Sequence, residues 1–297
     1  MKISELLESK KRTLSFEVFP PKTTEGYEGI FQKAKEIAGL SPDFMSVTYG
    51  AGGGTSAFTA GLAHDLMQET GVPVIAHLTC VSSTKETVKE TIRVYKEKGI
   101  ENIMALRGDI PEGGRLPNEY AHASELIAEL KDEGDFCIGG ACYPEGHIES
   151  PSKETDLWYL KKKVDAGVDF LTTQMFFDNN IFYNFLYRAR EAGILCPILP
   201  GIMPITARKQ LGRSVAMSGT MVPPRFSAIV DCFGDDPKAM EQAGIVYAAD
   251  QIIDLFANGI THVHVYSMNK PSVALGILQN LRGILGEKQV DYESKFD

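Results

Sequence analysis

Five glycines, each followed by a branched aliphatic residue, divide this chain into repeating units. In each case a stretch with helical spacing ends at the glycine, and an apolar run follows it. A glycine just past a helix can adopt the left-handed conformation that ends the helix, and a continuous apolar run is typical of a strand buried on both faces of a parallel sheet. Repeating βα units are therefore predicted by the pairs Gly71-Val72, Gly99-Ile100, Gly167-Val168, Gly193-Ile194 and Gly259-Ile260.

The spacing of these units favours a closed α/β barrel. Units of about 33 residues suit one strand, one helix and their loops, and eight of them favour a (β/α)8 TIM barrel over an open sheet. The longer stretch from Gly193 to Gly259 predicts an extra helical insertion between strands 7 and 8, with a helix near 237–257. The predicted strands are 13–18, 44–48, 74–79, 103–106, 136–142, 170–173, 198–202 and 262–266.

Length, charge and cysteine content limit the classes of protein to which the chain can belong. One barrel domain commonly takes about 250 residues, so we expect residues 1–297 to form a single catalytic domain. The formal charge of -9, without a basic block, argues against nucleic acid and anionic membranes as partners. The scattered cysteines lack zinc-ligand spacing, and no signal or membrane-spanning stretch is present. These features predict a cytoplasmic protein with reduced thiols.

Polar residues follow most of the predicted strands at the point where each strand ends. Barrel enzymes place their active sites at this carboxyl end of the strands, because the loops there converge on one mouth. The strand ends therefore predict the site, and their polar residues are Glu17, Thr48, His77, Arg107 to Asp109, Tyr143, Gln174 and Tyr266 to Asn269.

Glu17 is the strongest catalytic candidate at these ends. The alternation of the first strand points Ser15 and Glu17 to the same side, which in a barrel is the interior. A carboxyl group in a dry pocket can act as a general acid near neutral pH. The alternative is an ion pair with Lys22 or with a lysine that lines the barrel.

Arg107-Gly108-Asp109 lies between a buried strand and a turn-rich loop. The glycine allows the backbone to approach a ligand, the arginine can clamp a phosphate, and the aspartate places negative charge at the mouth. A local bridge between Arg107 and Asp109 would explain the tripeptide equally well.

The loop after Thr48 contains four glycines and one alanine before Thr55. Such a loop can lie against a planar or phosphorylated ligand and then begin a helix. It matches neither the Walker pattern nor the GxGxxG fingerprint, and a tight βα turn is the alternative.

Three further residues suit the recognition of a ring or a phosphate. Tyr143 and His147 can cover a ring and donate to a phosphate, and Gln174 can recognise a heterocycle through its amide. A backbone-bonded glutamine is the alternative for Gln174. His77, alone on a strand, is more often a core residue than a catalyst. His262 and His264 share one strand face but have no acidic neighbour in the sequence, so we expect no metal site.

Seven short motifs occur in order along nearly the whole chain. They are Ser-Phe-Glu-Val-Phe-Pro-Pro-Lys, Val-Thr-Tyr-Gly-Ala-Gly-Gly, Ala-Leu-Arg-Gly-Asp, Tyr-Pro-Glu-Gly-His, Thr-Gln-Met-Phe-Phe-Asp, Pro-Gly-Ile-Met-Pro and Tyr-Ser-Met-Asn. Together they resemble the 5,10-methylenetetrahydrofolate reductase family. The resemblance implies a (β/α)8 flavoprotein that takes hydride from NADH or NADPH onto FAD. It passes the hydride to methylenetetrahydrofolate and yields 5-methyltetrahydrofolate for methionine synthesis.

The resemblance also implies roles for matching residues. Glu17 is the general acid that opens the imidazolidine ring to an iminium ion, and hydride then passes from flavin N5 to that carbon. Asp109, the second catalytic residue, stabilises the cation and tunes the flavin. The folate contacts are Glu17, Asp109, Gln174, Gln210 and Lys270. The FAD contacts are Thr48, His77, Arg107, Gly108, Asp109, Ala121, Tyr143, His147, Asp156, Tyr159, Lys162 and Lys163.

Four positions depart from the family pattern. Tyr159 and Lys162 replace an asparagine and an arginine at adenosine contacts, and Lys270 replaces a frequent arginine, which loses a bidentate carboxylate contact. Ser214 falls where some relatives carry a phenylalanine that stacks on nicotinamide or folate. The electron donor therefore stays open among NADH, NADPH, ferredoxin and an electron-transfer partner subunit. The resemblance also implies a homo-oligomer without the regulatory domain of longer relatives, and hence no inhibition by S-adenosylmethionine.

A cofactor-free barrel lyase with Glu17 as its base is the alternative from a different enzyme class. It would explain the acidic strand end without FAD, and a flavin spectrum separates the two hypotheses.

Overall fold

The computed structural model describes residues 1–49, 56–81, 83–110 and 119–286. Within them the strands are β1 Thr13–Val18, β2 Met45–Val47, β3 Val74–Thr79, β4 Asn102–Leu106, β5 Cys137–Cys142, β6 Phe170–Thr173, β7 Ile198–Leu199, β8 Gly201–Ile202 and β9 His262–Tyr266. The helices within the same ranges are α1 Ile3–Ser9, α2 Tyr27–Ala38, α3 Ser56–Thr70, α4 Lys85–Glu97, α5 Ala123–Glu133, α6 Lys153–Asp165, α7 Asn179–Glu191, α8 Arg208–Ser218, α9 Pro224–Phe233, α10 Pro237–Ala257 and α11 Pro271–Leu285.

The strands form one parallel sheet that closes on itself. Their order is β7-β6-β5-β4-β3-β2-β1-β9-β8, so β7 and β8 stand at its two ends. These two strands are halves of one segment, divided at Pro200, which has no N–H to donate to a ladder. Because β7 pairs with β6 and β8 pairs with β9, the segment joins the two ends of the sheet. The predicted (β/α)8 barrel is confirmed, although the seventh strand is interrupted where the sequence predicted a continuous one.

The glycines of the Gly-aliphatic pairs have the predicted backbone conformation. All five glycines of the Gly-aliphatic pairs have positive φ, between 69° and 115°. The left-handed conformation lets each helix end and the next strand begin without the steric cost that a Cβ would bring. The other strand boundaries differ from the predicted ones by one residue at each altered end.

Successive residues of a strand point alternately to the surrounding helices and to the barrel interior. Leu14, Phe16 and Val18 of β1 pack outward in the large cluster shared with the surrounding helices. Ser15 and Glu17 therefore face the barrel interior, as the alternation predicted.

Helix α1, which the sequence pattern did not predict, closes the amino-terminal end of the barrel. Its Ile3, Leu6 and Leu7 are buried against interior residues that include Phe44 and Phe170. The backbone N–H of Ile3 donates to the Asn102 side chain at 2.8 Å. With this end closed, ligands reach the interior from the carboxyl ends of the strands.

Three helices, α8, α9 and α10, lie between β8 and β9. Helix α10 has the predicted bounds, and Tyr247 on it packs 4.2 Å from the ring of Phe226 on α9. The Tyr247 hydroxyl donates to the carbonyl of Phe177, just past β6, at 2.6 Å. These contacts attach the helices to the carboxyl rim of the barrel.

Candidate active site

Glu17 lies inside the barrel near its carboxyl rim. Its residue is 8% exposed, and its Oε2 lies 3.4 Å from Ser46 Oγ, 3.6 Å from His77 Nε2 and 3.8 Å from His264 Nε2. No ion pair with Lys22 is found in the described part of the chain, and Lys22 is exposed. The structure therefore favours the buried carboxyl over the alternative ion pair.

His264 and Ser46 lie beside Glu17, and neither was predicted from the sequence as a site residue. Ser15 Oγ lies 2.7 Å from His264 Nδ1, and His264 Nε2 lies 3.1 Å from Ser46 Oγ. Both follow from the alternation that placed Glu17 inside, because His264 is opposite Ser15 in the β1–β9 pair and Ser46 is opposite Glu17 in the β1–β2 pair. That pairing register was the missing information.

His77 is a neutral, buried neighbour of Glu17. Burial lowers the pKa of His77 from its usual 6.5 to about 4, and the Glu17 carboxylate opposes only part of that shift. Its Nε2 is buried without a hydrogen-bond partner among the described residues. A buried polar atom of this kind carries a cost unless a ligand or water satisfies it.

Tyr266 connects Glu17 to the end of β6. It is opposite Glu17 in the β1–β9 pair, and its hydroxyl donates to the carbonyl of Thr173 at 2.5 Å. Gln174 follows directly, so Glu17 and Gln174 lie at the same end of the barrel. Gln174 is half-buried, and its Oε1 accepts from the backbone N–H of Met175 at 2.9 Å, which agrees with the backbone-bonded alternative for that oxygen.

The other two predicted folate contacts meet at Thr206. Lys270 Nζ donates to Thr206 Oγ1 at 2.7 Å, and Gln210 Oε1 accepts from the Thr206 backbone N–H at 2.9 Å. Gln210 Nε2 donates to the carbonyl of Pro204 at 3.2 Å. The loop after β8 thus brings together two polar side chains that are distant in sequence.

A cavity of about 480 Å³ opens between the ends of β3, β4 and β5 and helix α6. This volume falls within the roughly 300–1,000 Å³ typical of small-molecule sites. Of the predicted FAD contacts, those that line the cavity are Arg107, Gly108, Asp109, Tyr143, His147, Asp156, Tyr159 and Lys163.

Four predicted FAD contacts lie outside this lining. Lys162 is exposed, and its Nζ lies 3.6 Å from the centroid of the Trp158 ring. The neighbours of the other three line the cavity in their place: Tyr49 beside Thr48, Thr79 two residues after His77, and His122 beside Ala121. Helical spacing explains the difference on α6, because residues 156, 159, 160 and 163 share one face and residue 162 does not.

Charged groups of both signs line the cavity: Arg107 and Lys163, with Asp109, Glu149 and Asp156. Lys163 donates to the carbonyl of Ala141 at 2.6 Å, and burial lowers the pKa of its ammonium group. Arg107 binds Glu149 through two bonds of 2.6 and 3.0 Å, which raise the pKa of the guanidinium. Its partner is therefore Glu149, and the local bridge to Asp109 is not the arrangement found. Guanidinium and ammonium donors suit a phosphate.

The cavity residues fit a flavin dinucleotide by their chemistry. Gly108 has φ of +88°, and a Cβ there would lie 3.0 Å from Cβ of Thr79 and 3.3 Å from Cγ1 of Val81. Only glycine leaves this space open at the cavity wall. The donors Arg107 and Lys163 suit a pyrophosphate.

Ser214 does not present a side chain for stacking. It is buried, and its hydroxyl donates to the sulfur of Met203 at 3.4 Å. The position that the resemblance equates with a phenylalanine of some relatives thus holds a small residue that bonds inward.

The glycine-rich loop at 50–55 lies outside the described residues. Among those described, no group of three or more histidine, cysteine, aspartate or glutamate side chains could hold a metal ion. No helix in the described ranges is long and apolar enough to cross a membrane.

Solved structures share this fold. An uncharacterized protein from Clostridium thermocellum that binds two copies of 5-methyl-5,6,7,8-tetrahydrofolic acid aligns with a TM-score of 0.66 at 14% identity, over 96% of this chain and 99% of that one. An oxaloacetate acetylhydrolase aligns with a TM-score of 0.51 at 12% identity, over 90% of this chain and 79% of that one. At these identities the likeness shows the fold alone.

Sequence relatives are more specific. "Methylenetetrahydrofolate reductase (NADH) 1" of Arabidopsis thaliana is 36% identical over 97% of this chain, which spans about half of that relative (51%). The 5,10-methylenetetrahydrofolate reductases of Pectobacterium carotovorum and Escherichia coli are each 36% identical over 90% of this chain, and the matches cover 89% and 90% of those proteins. The family model for methylenetetrahydrofolate reductase matches residues 2–282. The chain therefore belongs to the methylenetetrahydrofolate reductase family of oxidoreductases.

Proposed function

We propose that this protein reduces 5,10-methylenetetrahydrofolate to 5-methyltetrahydrofolate, with FAD as its cofactor and a pyridine nucleotide as electron donor. The observation that carries the proposal is the position of Glu17, a buried carboxyl at the same end of the barrel as a ring-sized cavity lined by Arg107 and Lys163. The bacterial relatives named for this reaction match over most of their length, which supports the same activity here.

FAD is assigned to the cavity between the strand ends and α6. Lys163 and Arg107 would hold its pyrophosphate, and Gly108 would let the backbone lie close to it. Thr48, at the adjacent strand end, would bond the flavin ring. When bound, FAD supplies a two-electron carrier between the donor and the folate.

Glu17 is proposed as the acid for the folate step. Its carboxyl proton passes to a nitrogen of the imidazolidine ring, the C–N bond of that nitrogen breaks, and the methylene carbon becomes an electrophilic iminium. Asp109, exposed at the cavity mouth, would stabilise the cation by its charge. Gln174, Gln210 and Lys270 would hold the folate, and closure of the mouth by both ligands would exclude water from the carboxyl.

NADH is the first donor to test. The plant relatives are named as NADH-dependent, whereas Ser214 offers no aromatic ring to stack on a nicotinamide. Delivery of electrons by ferredoxin or a partner subunit would need no nicotinamide site, and it is the alternative that this position favours.

The decisive experiment reduces and reoxidises the isolated protein under anaerobic conditions. We expect a flavin spectrum after incubation with FAD, bleaching of that spectrum by NADH or NADPH, and recovery of colour with methylenetetrahydrofolate. Failure to acquire a flavin spectrum would contradict the proposal and favour a cofactor-free lyase. If neither nucleotide bleaches the bound flavin, but dithionite reduces it and folate then reoxidises it, the electron donor would be a partner protein.

Substitution of Glu17 by glutamine separates the two half-reactions. The variant should bind FAD and be bleached by the donor at the wild-type rate, because its amide has nearly the shape of the carboxyl. Folate reduction should fall by about 10²- to 10⁴-fold, the range for a lost general acid. Glu36→Gln, at an exposed position on α2, is the control. Folate turnover near the wild-type rate in Glu17→Gln would refute the assignment.

A further inference from the structure

Beneath Glu17 lies a chain of buried polar side chains that ends inside the barrel. It runs from Glu17 Oε2 to Ser46 Oγ at 3.4 Å, to His264 Nε2 at 3.1 Å, and from His264 Nδ1 to Ser15 Oγ at 2.7 Å. Ser15 Oγ also lies 3.2 Å from the carbonyl of Val263. Ser15 and Ser46 are 0% exposed and His264 is 3% exposed, so bulk water does not satisfy these groups.

We infer that His264, through the hydroxyl of Ser46, is the internal proton partner of Glu17. His264 holds the proton that Glu17 gives to the substrate, and Ser46 transfers it. The inference rests on the proposed function, in which Glu17 is the acid. It makes Ser46 and His264 positioning and proton-transfer residues that act through Glu17.

In the first arrangement the proton is on His264. The Nδ1–H donates to Ser15 Oγ, and the Ser15 hydroxyl donates to the Val263 carbonyl. The Nε2–H donates to Ser46 Oγ, and the Ser46 hydroxyl donates to the ionised Glu17. Every donor in the chain has an acceptor, because a protonated imidazole offers two N–H groups and a carboxylate only accepts.

In the second arrangement the proton is on Glu17. The Ser46 hydroxyl proton moves to Glu17 Oε2 as the Nε2 proton of His264 moves to Ser46 Oγ. Glu17 now donates to Ser46, Ser46 donates to the neutral imidazole, and the Nδ1–H bond to Ser15 is unchanged. The two arrangements contain the same number of protons and the same heavy-atom positions, so little reorganisation separates them.

The surroundings hold the imidazole in the plane that this transfer needs. The Phe44 ring lies parallel to it at 6.1 Å with an angle of 8°, and the Tyr266 ring meets it edge-on at 5.6 Å. The Tyr266 hydroxyl donates to the Thr173 carbonyl, and burial raises its pKa well above the usual value, so it does not compete for the proton.

His77 is the other titratable group that faces Glu17. Burial lowers its pKa to about 4, so it remains neutral while Glu17 and His264 share the proton. The three residues that the transfer requires, Glu17, Ser46 and His264, come from three adjacent strands, β1, β2 and β9. Once a ligand covers the mouth, this chain is the route by which the carboxyl can regain its proton from inside the protein.

Ser46→Ala tests the inference because it removes the link and leaves both its ends. The two half-reactions are measured separately in the FAD-loaded protein: bleaching of the flavin by the donor, and its reoxidation by methylenetetrahydrofolate. We expect donor bleaching within twofold of wild type and reoxidation slowed at least tenfold. The pH profile of reoxidation should also move, and Ser46→Thr, which keeps the hydroxyl, should restore both features.

A proton inventory in mixtures of H2O and D2O distinguishes transfer from packing. Reoxidation of the wild type should give a curved plot, since two protons move together, and Ser46→Ala should give a straight one. Thr13→Val is the matched control, because Thr13 Oγ1 bonds His262 Nδ1 at 3.0 Å in a similar hydroxyl–imidazole pair near the other end of the barrel. It should leave both half-reactions and the curved plot unchanged.

Three outcomes would overturn the inference: reoxidation of Ser46→Ala within twofold of wild type, an equal loss of both half-reactions, or a straight plot for the wild type. The proposed function is tested apart from it, by whether the wild type binds FAD and is reoxidised by folate. If the wild type passes this test and Ser46→Ala is unaffected, the inference is refuted and the proposed function stands.

Discussion

Substitution of Gly108 by alanine should harm both stability and cofactor binding. Gly108 follows β4, lines the cavity and has φ of +88°. A Cβ there would lie 3.0 Å from Cβ and 3.3 Å from Cγ2 of Thr79, and 3.3 Å from Cγ1 of Val81. The new methyl group therefore meets two side chains of the β3 end in a backbone conformation that alanine rarely adopts.

Gly259 provides a control that isolates the conformational part of the effect. Its φ is +83°, and a Cβ there would meet nothing within 4 Å. A non-glycine residue in left-handed conformation costs about 1–2 kcal/mol, and overpacking adds about 1–3 kcal/mol. We therefore expect a free energy of unfolding lower by about 1–2 kcal/mol in Gly259→Ala and by about 2–5 kcal/mol in Gly108→Ala.

Urea unfolding of the FAD-free proteins measures these differences, provided that the variants show the same dependence on urea concentration as wild type. Fluorescence titration with FAD then measures the dissociation constant. It should rise about tenfold, equivalent to 1.4 kcal/mol, in Gly108→Ala and remain unchanged in Gly259→Ala. Equal stabilities of the two variants, together with wild-type FAD affinity in Gly108→Ala, would refute the close approach at this wall.

Three further predictions concern the cavity, the barrel floor and the buried histidine. Lys163→Met should raise the FAD dissociation constant about tenfold, whereas Lys162→Met, on the outer face of α6, should change it less than twofold; titrations giving the reverse order would contradict the cavity geometry. Leu6→Ala should lower the free energy of unfolding by about 2–5 kcal/mol, because Leu6 is buried at the amino-terminal end of the barrel. A urea midpoint equal to that of wild type would contradict this packing. His77 has a folded pKa of about 4 against a usual 6.5, so the unfolded chain binds more protons between these values and stability is lost as pH falls from 6.5 to 4. Between pH 7.5 and 5, His77→Gln should remove about 2 kcal/mol of this pH dependence. Urea midpoints at these two pH values that change equally in wild type and variant would count against a buried neutral ring.

Local patterns were enough to predict the barrel and the inward direction of Glu17. Glycine followed by an aliphatic residue marks the end of a helix through the left-handed conformation, and strand alternation has a period of two, so both signals lie within a few residues. The polar strand ends likewise predicted the rim that carries the cavity. The motifs shared with the reductase family then named the residues that line most of it.

Contacts between distant segments could not be predicted in this way. Helix α1 is short, and its sequence resembles a polar chain terminus. Its apolar side chains are buried only because they pack against the interior residues at the amino-terminal end of the barrel. For Arg107 the sequence left a phosphate clamp and a local bridge to Asp109 as alternatives, and the structure pairs it with Glu149 in a later loop. Lys162 and Lys163 were both predicted to contact FAD, but on helix α6 only Lys163 faces the cavity.

By itself the sequence determined the repeating units, the face on which each strand residue lies and the family to which the motifs point. Only the tertiary structure decided which side chains meet: that Ser46 and His264 join Glu17, and that Gln210 and Lys270 share Thr206. The physical reason is that dihedral preferences and hydrophobic periodicity act over a few residues, whereas the register between strands and the closure of the ring depend on the packing of the whole barrel.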